Sequence, residues 1–233
     1  MQIGTVASLT RYPVKSTGGE RVPNLTFEPR GVVGDRCWAV YTEDGGIGSG
    51  KTSQRFRRID GLAFYRSWAA PDGRVLLVGP DGQELVVGEA ATDAAVSAAL
   101  GQSLVVRLEA DVPHHDDSPV HLVTTASLRA VGALVGDAVD PQRFRANVVV
   151  EVPGDAFVED AWTGREVAIG EDVVLRMGVG MPRCVMTTAA QLGLPRDPRV
   201  LKSLGGRPGV EFGLMVDVVR GGVAHEGDPV TLL

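Results

Sequence analysis

Up to Glu89 the chain carries no apolar run of helical period long enough to link two parallel strands, and this constrains its fold more than any other feature. Short β-type runs occupy that stretch instead, at residues 3–9, 11–15, 24–27, 37–41, 62–68, 75–78 and 85–87. Asp44-Gly45, Asp72-Gly73 and Asp81-Gly82 mark turns between them, the pattern of an antiparallel meander. The first helix is expected at residues 92–100, with Thr92 as N-cap and Gly101 closing it. A strand at 104–108 and a polar loop at 112–119 follow, with Pro113 and Pro119 near the loop's ends. The main boundary is placed there, dividing residues 1–112 from 113–233. The second unit reads as strand 121–125, helix 126–135 closed by Gly136, and strands at 147–152, 166–169, 173–177, 183–188, 212–219 and 230–233. One short helix fits after Asp197-Pro198. Thirty glycines and fourteen prolines suit short strands and turns. The expected class is mainly β with a few helices (α+β), most simply one barrel or two.

The bulk properties exclude several functions. A formal net charge of −6 argues against a broad nucleic-acid surface, though not against a local basic pocket for a small anion. No run approaches the ~18 apolar residues of a membrane span. The start, Met1-Gln2-Ile3-Gly4-Thr5-Val6, has no cationic segment leading into an apolar signal core, so a cytoplasmic protein is expected. Cys37 and Cys184 are the only cysteines. Two cysteines far apart make neither a disulfide framework nor a four-cysteine iron–sulfur site.

One motif misleads. Gly45-Gly46-Ile47-Gly48-Ser49-Gly50-Lys51-Thr52 matches the phosphate-loop pattern G-x-x-x-x-G-K-[ST] at every fixed position. Such a loop joins a buried parallel strand to a helix. Here Thr52 leads into Ser53-Gln54-Arg55-Phe56-Arg57-Arg58, which has no apolar helical stripe, so a Gly/Ser-rich hairpin tip is expected.

Three clusters carry candidate chemistry. In the first, Lys15 ends a strand and Ser16 and Gly18 follow, with Arg36 and Cys37 further on. A lysine, a hydroxyl and freed backbone amides at a strand end can cradle a phosphate. In the second, Arg145 and Asn147 lie two apart, so on a strand they share a face. A guanidinium beside a carboxamide can read a phosphate and a heterocycle edge, and a polar strand end bonding a neighbouring loop accounts equally well for the spacing. Glu159-Asp160 could fix those arginines. In the third, Arg183 places a fixed charge beside Cys184, which favours the thiolate, and thiolates select soft metals. A small buried residue remains the other reading of Cys184. His114, His115, Asp116 and Asp117 read as exposed polar loop residues, and His121 and His225 have no evident partners.

Together these segments resemble the MOSC-domain family and the β-barrel domain that precedes MOSC in amidoxime-reducing enzymes. Arg11-Tyr12-Pro13-Val14-Lys15-Ser16 is similar to the family's YPVKS motif and Gly34-Asp35-Arg36-Cys37-Trp38 to its GDR-x-W segment. Ser127-Leu128 resembles its A-S-L, Arg143-Phe144-Arg145-Ala146-Asn147 its RFRxN, and Phe157 to Trp162 its FxEDxW. Arg183-Cys184 with Thr187-Thr188 is similar to RCxxTT, and Gly227-Asp228-Pro229-Val230 to the GDPV ending. The resemblance implies a MOSC β-barrel core packed with an N-terminal MOSC-associated β-barrel domain. It implies a molybdenum cofactor whose metal takes a thiolate from Cys184. Arg145 and Asn147 would then hold the pterin, Lys15, Ser16 and Arg36 would surround the phosphate, and Arg183, Thr124, Thr125 and Ser127 would lie close to the cofactor.

The activity implied is reduction of a small N-hydroxylated or N-oxide substrate, with electrons from a separate redox protein. The alternative is a non-catalytic carrier of the cofactor, or of sulfur as a Cys184 persulfide. Two departures bear on that choice. Many members continue RCxxTT with Asp-Pro, where this chain has Ala189-Ala190-Gln191, and the Arg-x-x-Pro expected after the early hairpin is only loosely matched by Gln54 to Arg58.

Overall fold

The computed structural model describes residues 1–233. Its centre is a closed seven-stranded β-barrel. Around the barrel run Val148–Glu151, Val120–Thr124, Glu211–Arg220, Val173–Pro182, Glu166–Ile169, Pro229–Leu232 and Gln2–Arg11, and the last strand pairs back to the first. The pairs are antiparallel except Val120–Thr124 with Val148–Glu151. That parallel pair is joined through helix α2 (Thr125–Val135), the usual form of a parallel crossover. The β-branched run Val148-Val149-Val150 explains the layering. Val148 and Val150 point into a barrel core with Leu9, Leu122, Leu175 and Met177, while Val149 packs outward with Phe144, Phe212 and α2.

Gln2–Arg11 precedes the 112/113 division in sequence, yet in space it closes the barrel that residues 120–232 otherwise build. The chain then leaves the barrel at Tyr12 and forms the second layer. A four-stranded sheet orders Leu104–Leu108, Trp38–Thr42, Ile47–Ser49 and Phe56–Arg58, and a three-stranded meander orders Glu84–Val86, Val75–Val78 and Arg66–Ala69. Helix α1 (Ala90–Leu100) covers them, and Val14, Val40, Leu62, Leu77, Val96 and Leu104 fill the space between. The three Asp-Gly turns appear as expected, each with its glycine in the left-handed region.

Four local expectations change. Residues 11–15 are not a second strand: the strand ends at Arg11 and Val14 makes only an isolated bridge to Trp38. Residues 62–64 form a 3₁₀ turn after left-handed Gly61, and the strand starts at Arg66. Helix α1 begins at Ala90, so Thr92 lies inside its first turn and its hydroxyl donates to Val86 O. Residues 183–188 are not a strand. The long strand stops at Pro182, and Val185–Thr188 is a 3₁₀ turn capped by Cys184.

Candidate active site

Cys184 is half-buried where the barrel strand Val173–Pro182 gives way to that turn. Arg183 N donates to Val210 O at 3.0 Å, holding the strand end in place. The two threonines of the motif fold the turn. Thr187 Oγ1 donates to Cys184 O at 3.0 Å and Thr188 Oγ1 to Val185 O at 2.7 Å, local bonds that compete with extended structure. Arg143, buried, gathers the next carbonyls: Nη2 donates to Pro195 O at 2.7 Å, and Nη1 approaches Thr187 O and Ala189 O at 3.4 and 3.5 Å.

A cleft of about 220 Å³ opens beside Cys184 between the barrel and the second layer. Lys15, Arg36, Lys51, Arg145 and Arg183 line it, against the acids Asp116 and Asp117. This is a cationic cleft in an acidic protein. Lys15 is buried, its ammonium 4.4 Å above the Phe56 ring, and burial pushes its pKa down to about 8 even though Asp116 is its ion-pair partner. Lys51 Nζ reaches the other oxygen of Asp116 at 2.8 Å. Burial opposes ionisation of Asp116, but the two lysines hold its carboxyl well below the usual range. Ser16 has a left-handed backbone and donates to Gly48 O at 3.3 Å. The neighbouring amides of Lys15, Thr17 and Gly18 are taken by Trp38, Val14 and Tyr65, so of the expected amide cradle Ser16 alone keeps its N–H free.

Arg36 and Arg145 both lie over the buried Tyr12 ring, 5.0 and 4.3 Å from its centroid. Arg36 pairs with the buried Asp35, which also accepts from Tyr12 N at 2.8 Å. Arg145 Nη1 donates to Thr17 O, and burial lowers its pKa to about 10. Burial does the same to Arg183, whose Nη2 donates to Phe144 O at 2.9 Å. Arg145 and Arg183 each keep some surface, yet Arg145 Nη2 and Arg183 Nε are buried with no partner. Buried guanidinium donors left open beside a cleft fit an anionic ligand, since burial without a partner is otherwise unfavourable.

The structure therefore gathers Lys15, Ser16, Arg36, Arg145, Asn147, Arg183 and Cys184 at one cleft. The route to Asn147 differs from the spacing argument. Arg145 is not on a strand but caps the 3₁₀ turn Pro141–Phe144. Asn147 is fully buried and already engaged: Oδ1 accepts from His121 N and Arg36, and Nδ2 donates to Thr10 O at 3.2 Å. Thr124, Thr125 and Ser127 lie outside the cleft. Thr124 and Ser127 hydroxyls donate to Glu159 at 2.7 and 2.5 Å, and Thr125 bonds Val152 O. Glu159 Oε2 thus serves the start of α2 and Asp160 pairs with Arg207, so neither acid bonds Arg143 or Arg145.

The histidine expectations are corrected. His114 and His115 are buried, His114 bonding Tyr41 OH at 2.8 Å and Arg36 O at 2.9 Å. His121 lies between Phe144 O and Phe212 O. Lys51, Asp116 and Ser118 line the cleft and were not among the expected site residues. The cues available were the Gly-rich run around Lys51 and the proline-bounded acidic loop holding Asp116. No helix follows Thr52, so the phosphate-loop geometry is absent, but Ile47–Ser49 runs parallel to the strand Phe56–Arg58, so the run is not the expected hairpin tip either.

Comparison with known proteins settles the family. The MOSC domain matches residues 109–231, and the MOSC N-terminal beta barrel domain matches residues 3–124. The chain belongs to the MOSC family. This MOSC chain is 33% identical over 133 residues to the rat mitochondrial amidoxime reducing component 2, covering 52% of itself and 38% of that protein. It is 27% identical over 228 residues to the mouse mitochondrial amidoxime-reducing component 1, covering 80% and 66%, and 25% identical to the human component 1, covering 100% and 84%. The matches thus span less than two thirds of the rat and mouse proteins' length. Among solved structures the YuaD protein of Bacillus subtilis shares the fold, with a TM-score of 0.53 and 13% identity over 98% of this chain and 94% of that one. No helix of the MOSC chain is long and apolar enough to cross a membrane.

Proposed function

We propose that this MOSC chain holds a molybdenum cofactor and reduces small N-oxygenated compounds. The observation that carries the proposal is the pair of open buried donors, Arg145 Nη2 and Arg183 Nε, in a cation-lined cleft with Cys184 on its wall. Lys15, Ser16, Arg36 and Lys51 would receive the phosphate, Arg145 and Arg183 the pterin side, and Cys184 the metal. Asn147 acts indirectly, fixing Arg36 through its Oδ1. When bound, the cofactor supplies oxygen-atom transfer coupled to two electrons. The protein's own groups bind and orient: Lys15, Arg36 and Lys51 hold the phosphate, the Tyr12 ring supports the Arg36 and Arg145 guanidiniums, and Arg143 keeps the Cys184 turn folded. For an amidoxime the net reaction breaks the N–O bond. Two electrons and two protons enter, and an amidine and water leave. The electrons come from a separate redox protein, and the proposed setting is the cytoplasm, where two free thiols stay reduced.

Asp116 bears on the carrier reading. The segment after Thr188 has no acid, but Asp116 places a carboxylate in the cationic cleft, so the cleft beside Cys184 does not lack one. The test is metal analysis of protein from a cofactor-competent host, followed by amidoxime turnover with a chemical electron donor. Cys184→Ala is expected to lose molybdenum and at least a hundredfold of the activity. An active, metal-loaded Cys184→Ala refutes the assignment. Molybdenum without turnover in the parent protein favours a cofactor carrier, and cyanide-labile sulfur on Cys184 without metal favours a sulfur carrier.

A further inference from the structure

A second cavity adjoins the cationic cleft. It has about 310 Å³ of space and lies between the Cys184 turn and the 3₁₀ turn Leu62–Phe64. The two cavities share Ser16 and Met186 as a common wall. Their lining chemistry differs. Ile59, Leu62, Phe64, Val185, Met186 and Ala190 give this one an apolar body, with Ile59 and Leu62 buried at its floor and Phe64 and Val185 exposed at its rim. Arg58 and Arg196 are the cations at its edge. Arg58 is tied to Asp60 at 2.7 Å, whereas Arg196 is exposed and makes no hydrogen bond or ion pair.

The segment after Thr188 builds one side of this cavity. Ala189 and Ala190 are small where many relatives are expected to carry Asp-Pro, and Leu192 N donates to Ala63 O at 3.1 Å, tying that side to the facing turn. The partition from the cleft is a side chain rather than backbone. A Cβ on Gly50 would overlap Met186 Sδ, so Met186 lies over Gly50 because that residue has no side chain. This gives the Gly-rich run a role in packing in place of phosphate binding.

We propose that this cavity binds the body of the substrate, and that the substrate is a single-ring aryl N-oxygenated compound carrying a carboxylate. The volume lies at the lower end of ligand pockets, which suits one ring. The apolar lining takes the ring, Arg196 pairs with the carboxylate, and the N–O group lies past Met186 toward Cys184. The inference rests on the reductase reading above, and its test separates the two.

The probes are benzamidoxime and 4-carboxybenzamidoxime, used for turnover by the molybdenum-loaded protein and for binding to Cys184→Ala by ligand-observed NMR. The carboxylated probe is expected to have a KM about tenfold lower, and Arg196→Ala to abolish that preference. Ala190→Leu is expected to raise KM for both probes at least fivefold. Gly50→Ala, which displaces only the flexible end of Met186, is expected to change KM with little effect on folding. Turnover without a carboxylate preference, or with one that survives Arg196→Ala, overturns the substrate assignment and leaves the reductase reading standing. Saturable binding that Ala190→Leu abolishes, in a protein that turns over neither probe, supports the cavity and counts against the reductase. Absence of binding to Cys184→Ala overturns the cavity.

Discussion

Ser16, Arg36 and Arg145 hold their backbones at φ of 67°, 50° and 55°, and Val210 is the only other non-glycine residue in that region. Left-handed backbone is unfavourable for a side-chain-bearing residue, by about 1 kcal/mol or more each. Three of these residues meet at one cleft and the fourth accepts the Arg183 amide, so the strain is concentrated where ligand donors must be aimed. Arg145 shows the trade-off. Its Nη1–Thr17 bond stabilises the fold, while its buried open Nη2 opposes it. Arg145→Met is therefore expected to move unfolding stability by no more than about 1 kcal/mol while cutting cofactor retention at least tenfold. Urea melts and molybdenum content measure both, and a large stability loss with retained metal would show a structural role instead. Lys15, Arg36 and Cys184 were legible in the sequence because charge and thiol declare their chemistry wherever the chain puts them. Asp116 was not, because a carboxylate in a polar loop looks solvated until two lysines from distant segments close on it. Thr124 and Ser127 do not line the cleft, because their hydroxyls serve Glu159, a partner 35 and 32 residues away.

The strand Gln2–Arg11 is the seam of the barrel, pairing Val148–Glu151 on one side and Pro229–Leu232 on the other. It can approach Val148–Glu151 because Gly4 has no side chain: a Cβ there would overlap Glu151 O and press on Val150. Gly4→Val is expected to lower stability by about 2–3 kcal/mol through overpacking against backbone that cannot yield. Amide exchange should accelerate along both paired strands and far less in α1, which lies in the other layer. Uniform acceleration would mean that the barrel and second layer unfold as one unit. At this scale the sequence pattern worked where local signals act alone, as at the Asp-Gly turns and the Val148-Val149-Val150 strand. It failed at residues 183–188, because Val185 and Met186 look extended until Thr187 and Thr188 fold their hydroxyls back onto the preceding carbonyls. It failed at 62–64, where left-handed Gly61 redirects the chain. The barrel itself was expected, but not that Gln2–Arg11 would close it, since that depends on pairing between segments about 140 residues apart.

The whole molecule should be acid-labile, and the cause is the proline-bounded loop between the layers. His115 is buried, with its Nε2 making no hydrogen bond and lying 3.9 Å from Asp35 Oδ2, and burial lowers its pKa to about 4 against that carboxylate; burial also lowers His114 and His121. The unfolded chain takes up these protons near pH 6.5, while the folded chain resists, so stability falls as pH drops from about 6.5 toward 4. His115 alone accounts for about 3 kcal/mol across that window at 1.36 kcal/mol per unit. Glu159 opposes the trend. Burial raises its pKa, so its contribution to stability grows as pH falls from its raised value toward about 4.5. One carboxyl works against three imidazoles, and the histidines prevail. His115→Phe keeps a ring in the buried position and removes the titration. Between pH 7 and 4.5 it is expected to lose about 2 kcal/mol less stability than the parent protein, measured by urea melts at the two pH values. Parallel losses in the two proteins would place the acid response elsewhere. The same loop carries Asp116 into the cationic cleft, so acid that charges His115 beside Arg36 should loosen the lysine pair as well, and molybdenum should leave the parent protein at a higher pH than it leaves His115→Phe.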